Sequence, residues 1–174
     1  MKQKIDVWQY APQILEGVHK GALLTTGADG AVNTMTIGWG HLGIEWSRPV
    51  FVAYVRQSRH TKTLLDKNPE FTVNIPVGVA DKEILRVCGT KSGRDMDKFK
   101  ELGLAAVPGE TVSVPAIAQL PLTLECKVIY QQDQDLSALD TALREHSYPS
   151  GTAEENNFHT AYYGLITAAY MLED

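Results

Sequence analysis

The chain has 174 residues, 44% of them hydrophobic and 21% charged, and a formal net charge of −5. That length suits a single domain, 1–174, able to bury about 70% of its unfolded surface. The acidic balance speaks against a nucleic-acid binder, which needs a basic surface, and no apolar window approaches the roughly 18 residues of a membrane span.

Two cysteines, Cys88 and Cys126, make neither a disulfide framework nor a CxxC pair. The N-terminal stretch MKQKIDVWQY lacks the apolar core of a secretion signal, so the expectation is a cytoplasmic protein.

In chain order, residues 12–18 read as a short helix, with Pro12 in its first turn and Gly21 just past its end. Segments 22–26 and 31–39 flank Asp29-Gly30, the signal of a β-hairpin. Residues 41–46 are compatible with a strand or a loop. Residues 49–55 form an apolar, β-branched and aromatic run that reads as a buried strand. Arg56, Ser58, Arg59, His60 and Thr61 follow at once, and a helix containing Leu64 and Leu65 stops at Asn68-Pro69. A strand that hands hydroxyls and guanidinium groups to a helix start is a recipe for holding phosphate. Taken alone, the same stretch reads first as an ordinary solvated loop with an N-cap. The pairing with Asn33-Thr34-Met35-Thr36 and Trp39, hydroxyls and backbone amides beside an indole, favours a flat heteroaromatic ligand.

Phe71, Val73 and Ile75 alternate on one strand face. Asp81 is placed to cap a helix carrying Ile84, Leu85, Val87 and Cys88. Ser92 to Asp95 and Ser137 to Asp140 have capping-box spacing. They predict helices presenting Met96, Phe99 and Leu102, and Leu139 and Leu143. Residues 108–121 read as a connecting loop. The clearest strand is 121–130, with Leu122, Leu124, Cys126, Val128 and Tyr130 on one side. Residues 164–172 read as a last strand. Seven or more short strands with a few helices in the connections predict a mainly β, α+β fold: a barrel with inserted helices.

Rival chemistries lack their motifs. The five histidines show no HxH or HExxH spacing, there is no GxSxG, and GTKSG lacks the first glycine of a P-loop. Cys88 has Arg86 and Lys91 nearby, yet its place on an apolar helix face favours packing over nucleophilic chemistry. His159 and Tyr163 are open to two readings, an aromatic core cluster or a ligand contact.

The ordered set Asp29-Gly30, Asn33, Met35-Thr36, Trp39, Arg48-Pro49, Arg56, Ser58-Arg59, Thr61 and Phe71–Pro76 resembles the flavin reductase-like FMN-binding split-barrel family, flavoredoxin-type branch. Cys88–Phe99 and His159–Gly164 continue the resemblance, which is weakest over 104–150. It implies an FMN-binding split β-barrel, homodimeric and acting as an oxidoreductase that NADH or NADPH reduces. Alternatives are an electron carrier reduced by a redox protein partner, and a barrel that binds flavin without turnover. Carried over by position, ring and ribityl contacts fall on Asn33, Thr34, Met35, Thr36 and Trp39. Phosphate contacts fall on Arg56, Ser58, Arg59 and Thr61. Lys91, Ser92 and Asp95 would close over the ligand, and Tyr163 would approach the flavin from the partner subunit. No GxGxxG is present, so a nicotinamide would dock transiently. Trp39 departs from the Ser-rich pattern of many flavin reductases and puts nicotinamide access in question.

Overall fold

The computed structural model describes residues 1–173. After β1 (Lys2–Lys4), helix α1 runs over Ala11–Lys20, longer than its apolar spacing alone suggests, with Ile14 and Val18 turned inward. Two hairpins follow. Strands β2 (Ala22–Ala28) and β3 (Ala31–Ile37) turn at Asp29 and Gly30, with φ of 53° and 78°. Strands β4 (Gly40–Glu45) and β5 (Arg48–Arg56) turn at Trp46 and Ser47, with φ of 50° and 58°. Paired left-handed residues match the right-handed twist of the flanking strands. The open segment 41–46 is therefore a strand.

Helix α2 (His60–Leu65), strand β6 (Glu70–Ile75) and helix α3 (Lys82–Thr90) come next. Asp81 caps α3, accepting from the Glu83 and Ile84 amides at 2.8 and 3.3 Å. Helix α4 (Lys98–Glu101) and the two-residue strands β7 (Ala106–Val107) and β8 (Ala116–Ile117) lead to β9 (Leu122–Asp133). A 3-10 turn at Leu136–Ala138 and helix α5 (Thr141–Ser147) precede β10 (His159–Leu172).

One antiparallel sheet takes the order β3-β2-β6-β9-β10-β5-β4, with β1 added to β10. The first half of β10 pairs with β5 and its last three residues pair with β1, while β9 runs along its other side. The sheet thereby curls around a core of Ile14, Leu24, Phe51, Phe71, Leu124 and Tyr162, among others. A second cluster packs Leu23 against Ile84 and Cys88, which seats α3 on the outside of the β2–β3 hairpin.

The strand alternation expected for β9 breaks at its end. Tyr163 pairs with Tyr130 but Gly164 pairs with Val128, so Ile129 is an extra residue in the ladder. Such a bulge reverses the side-chain phase. Val128 stays against the core, whereas Tyr130 turns outward to Tyr163 at 5.1 Å. Gly164 faces inward, where a methyl would come within 2.4 Å of the Phe71 ring and 2.7 Å of Cys126 Cβ.

Neither predicted serine capping box forms. Ser92 Oγ accepts from the Arg94 amide in a turn, and Asp97 caps the four-residue α4. Asp135 and Asp140 cap the 3-10 turn and α5, and Leu143 on α5 is 57% exposed. In each case an aspartate at the helix start displaces the nearby serine, because its carboxylate offers stronger acceptors to free amides.

The one fully buried carboxylate among the described residues is Glu125 on β9. It accepts from the Glu110 and Thr111 amides at 2.7 and 2.6 Å, the Thr111 hydroxyl at 2.7 Å and the Tyr170 phenol at 2.8 Å. Burial opposes the charge, but these bonds outweigh it and hold the carboxyl below its ordinary pKa. Glu125 thus ties the 108–115 loop to the sheet.

Candidate functional site

Beside β3, the ends of β5 and β10 open two adjoining clefts that share Met35 and Arg59. The smaller, about 100 Å³, is cationic and polar. Strand β3 contributes Asn33, whose Nδ2 donates to Thr61 Oγ1 at 2.8 Å, and both residues are buried. The loop after β5 contributes Ser58 and Arg59. Arg59 Nη1 donates to the Gly89 carbonyl at 3.1 Å, which aligns the guanidinium with the end of α3. The turn after α3 lays Lys91, Ser92 and Gly93 over the opening.

Lys98 reaches this cleft from α4 and is only 3% exposed. Its Nζ donates to the Thr34 carbonyl at 2.8 Å and the Cys88 carbonyl at 2.9 Å. An ammonium has three N–H donors, and the third has no protein partner among the described residues, nor is any carboxylate paired with it. Burial pulls the Lys98 pKa down, opposed by the neighbouring Cys88 and reinforced by Arg59. A buried cation without a counter-ion is costly, so the chemistry of the cleft suits an anion. Cys88 shares the cavity wall but is 1% exposed, and burial pushes its thiol up to about 11. It remains a packing residue.

Gly93 lies so close to Asn33 that a methyl on it would come within 2.2 Å of Oδ1. Gly93→Ala should therefore push the 91–95 turn off the cleft, since the contact leaves no slack. We expect a loss of about 1–3 kcal/mol, the usual cost of overpacking, read as a lowered urea midpoint.

The larger cleft, about 190 Å³, is flatter and more aromatic. Met35, Thr36 and Ile37 of β3 form one side, and Tyr54 and Arg56 of β5 with His159 of β10 form the other. Trp39 leans on His159, ring centroids 4.6 Å apart and tilted by 38°. The Tyr148 hydroxyl donates to Gln134 Oε1 at 2.9 Å and lies 2.5 Å from His159 Nδ1. A phenol has one proton to give, so Nδ1–H of His159 donates to the Tyr148 oxygen and Nε2 keeps its lone pair.

Burial, with the charges of Arg56 and Arg59, holds the His159 pKa down to about 4 from an ordinary 6.5. Between those values the unfolded chain binds more protons than the folded one, so stability rises with pH across the window and falls on acidification. The full loss below pH 4 is about 3 kcal/mol at 1.36 kcal/mol per unit. His159→Phe should flatten the dependence of the urea midpoint between pH 6.5 and 4.

Of the residues singled out from the sequence, Asn33, Met35, Ser58, Arg59, Thr61, Lys91 and Ser92 line the cationic cleft. Thr36, Trp39 and Arg56 line the flat one and not the cationic one. Arg56 is a correction: its guanidinium pairs with Glu154, donates to the Ser147 carbonyl at 3.1 Å and stacks 5.2 Å from the Tyr148 ring. It is spent on the segment between β9 and β10 and does not reach the anion cleft. Thr34 is wholly buried, its hydroxyl bonded to Leu24 and Thr25, and only its carbonyl serves the site through Lys98. Asp95 is exposed and lines neither cleft. Tyr163 lies on the outer sheet face with Tyr130 and Trp46, apart from both clefts within one chain. The phosphate recipe also needs revision, since α2 has six residues and no side chain caps it. Sequence reasoning missed Lys98 and Tyr54, while His60, noted beside the arginines, lines the cationic cleft. A lysine beside the apolar Phe99, after a capping Asp97, was the available sign of the first.

A curled antiparallel sheet with helices in its connections and paired clefts at one edge defines the split-barrel class of flavin reductase-like folds. The family model described as "Flavin reductase like domain" matches residues 18–174, and the chain belongs to that family. Flavoredoxin of Methanosarcina acetivorans superposes with a TM-score of 0.67 at 25% identity, covering 88% of this chain and 68% of that one. Flavoredoxin of Desulfovibrio vulgaris (Miyazaki F) gives 0.65 at 24% identity, covering 88% and 69%. An FMN-binding domain of a flavin reductase-like enzyme from Shewanella baltica OS155 gives 0.70 at 14% identity, covering 98% and 77%, which speaks to the fold alone. Among curated proteins, an uncharacterised protein of Archaeoglobus fulgidus is 31% identical over 97 residues, 56% of this chain and 54% of its own length. The chain spans about half the length of the curated relatives it matches.

Proposed function

We propose that the protein binds FMN and acts as a flavin-dependent oxidoreductase, reduced by NADH or NADPH and passing the electrons on. The observation that carries this reading is the pair of joined clefts, one cationic and sized for a single phosphoryl group, the other flat. Asn33, Ser58, Arg59, Thr61 and Lys98 would hold the phosphate, with Lys91 and Ser92 at the rim. Met35, Thr36, Trp39, Tyr54 and His159 would flank the ring. When bound, the flavin supplies the redox chemistry, and the protein has to orient it and keep water off it. Neutral His159 offers an acceptor at the ring's edge, and Arg59 places positive charge where the two clefts meet. No helix among the described residues is long and apolar enough to cross a membrane, and we place the protein in the cytoplasm.

A second reading has a specific observation behind it. Trp39, tilted against His159, lines one side of the flat cleft, which favours an electron carrier reduced by a protein partner over direct contact with a nicotinamide. The flavoredoxin likeness agrees with it. The test begins with the purified protein, which should be yellow and release FMN on heating. Anaerobic NADH and NADPH should then bleach it. Failure to bleach with FMN bound selects the carrier. A colourless protein that takes up no FMN removes both readings.

The protein is further proposed to be a homodimer. What supports this is the outer sheet face, where Trp46 is 55% exposed beside Tyr130 and Tyr163, with Val50 and Val52 beneath. Permanent dimers bury more than about 2,000 Å², and this face offers an aromatic centre for such a contact. Sedimentation of a monomer at micromolar concentration would refute it.

A further inference from the structure

Behind Trp39, away from the anion cleft, lies a third cavity of about 500 Å³. It shares Gly38, Trp39 and Tyr54 with the flat cleft, so whatever occupies the two is divided only by those groups. Its size is in the range of pockets that take small organic ligands, about 300–1,000 Å³. The C-terminal half of α1 supplies an apolar wall, Leu15 and Val18, and the Trp39 indole supplies a flat one.

The polar groups of the cavity are uncharged or imidazole, and they are arranged to donate. Tyr54 Oη lies 3.3 Å from His41 Nδ1, with the two rings edge to face. One proton is shared between them, in either direction. If the phenol gives it, the neutral imidazole keeps its Nε2–H to donate; if Nδ1–H gives it, the phenol O–H is free. Either tautomer leaves one donor for a ligand. Gln134 gives its Oε1 to Tyr148, and its amide N–H₂ has no partner among the described residues. His19 closes the rim from the last turn of α1. Among the described residues no Lys, Arg, Asp or Glu lines the cavity, so it offers no fixed positive charge to a pyrophosphate.

We propose that this cavity is a second ligand site, for a small planar carbonyl compound such as a quinone, an enone or an aromatic aldehyde. The ring stacks against Trp39 and the carbonyl oxygen accepts from the Tyr54–His41 pair. That such a compound receives electrons from the adjoining cleft rests on the flavin reading; the binding itself does not.

The experiment is calorimetric titration of p-hydroxybenzaldehyde into the protein as purified and again after saturation with FMN, with p-cresol as the analogue lacking the carbonyl. Wild type should bind one aldehyde per chain, and saturation with FMN should not displace it. Tyr54→Phe and His41→Ala should each weaken the aldehyde by about fivefold or more, the scale of one net hydrogen bond, and leave p-cresol unchanged. His41 is exposed, so its variant keeps the test open should Tyr54→Phe misfold. No saturable aldehyde binding, displacement by FMN, or equal loss of aldehyde and cresol in the variants would overturn the site. The flavin content of the same preparations separates the two readings. A yellow protein that ignores the aldehyde refutes this site alone, and a colourless one that binds it through Tyr54 and His41 refutes the flavin reading alone.

Discussion

Lys98→Met should cost the protein most of its preference for FMN over riboflavin. Among the described residues the wild-type ammonium is buried, has one N–H without a protein partner and faces no carboxylate, so the phosphate of the proposed FMN would complete it. A hydrogen bond to a charged group is worth about 1.5–3 kcal/mol, about 10- to 150-fold in the dissociation constant. Riboflavin, lacking the phosphate, should bind both proteins about equally. Methionine also strands the Thr34 and Cys88 carbonyls, so Lys98→Arg, which keeps charge and donors, is the companion variant and should retain the preference. Arg56→Ala is the contrast: its guanidinium is held by Glu154 and Ser147, so the ratio of the two affinities should hardly move. Fluorescence titration of both flavins against the four proteins decides it. Equal weakening of FMN and riboflavin by Lys98→Met would mean that the lysine supports the fold and not the anion.

The largest effect on stability should come from Glu125→Ala. Truncation removes the acceptor of four donors in the 108–115 loop and β10 and leaves the buried Tyr170 phenol without a partner. Leaving a buried donor unsatisfied costs about 1–3 kcal/mol, and the lost bonds to a charged acceptor lie at the upper end of that range. For a chain of this length that is a fall in Tm of about 2–4 °C per kcal/mol. The pH dependence carries the same signature. The folded pKa of Glu125 is depressed, so its contribution is present above the ordinary carboxylate range and is lost as the pH falls through it. The variant should lack that acid-side loss, measured by thermal unfolding at pH 7 and pH 3.5. A Tm within about 2 °C of wild type would show that the loop satisfies its own amides.

What the sequence makes legible follows from which forces are local. Turn chemistry at Asp29-Gly30, the cap at Asp81 and the alternation of Phe71, Val73 and Ile75 each depend on a few neighbouring residues, and each is found in the structure. Tyr130 illustrates the opposite case. Its side is set by a bulge that exists only because β9 pairs with β10 some thirty residues later, and no period within 121–130 records it. The site divides the same way. Asn33, Ser58, Arg59 and Thr61 come from two short stretches whose composition marks them. Lys98 becomes part of the site only when α3 packs on the hairpin and carries α4 beneath Thr34. Arg56 misleads because its type suits a phosphate, while its partner Glu154 lies 98 residues away.

The segment from Gln134 to Phe158 touches the site at few points: Tyr148 on His159, Glu154 and the Ser147 carbonyl on Arg56, and Asn157 on Ser58. It contributes no strand to the sheet. Its middle, around Gly151 with a left-handed φ of 73°, is exposed. Loop-closure entropy grows only slowly with length, about 0.6 kcal/mol per doubling, so added residues there would disturb neither the barrel nor the anchors. The segment that backs Arg56 and His159 can thus be lengthened or recut by insertion at Gly151 while the cleft itself stays fixed. That makes the segment the natural place to graft a recognition loop.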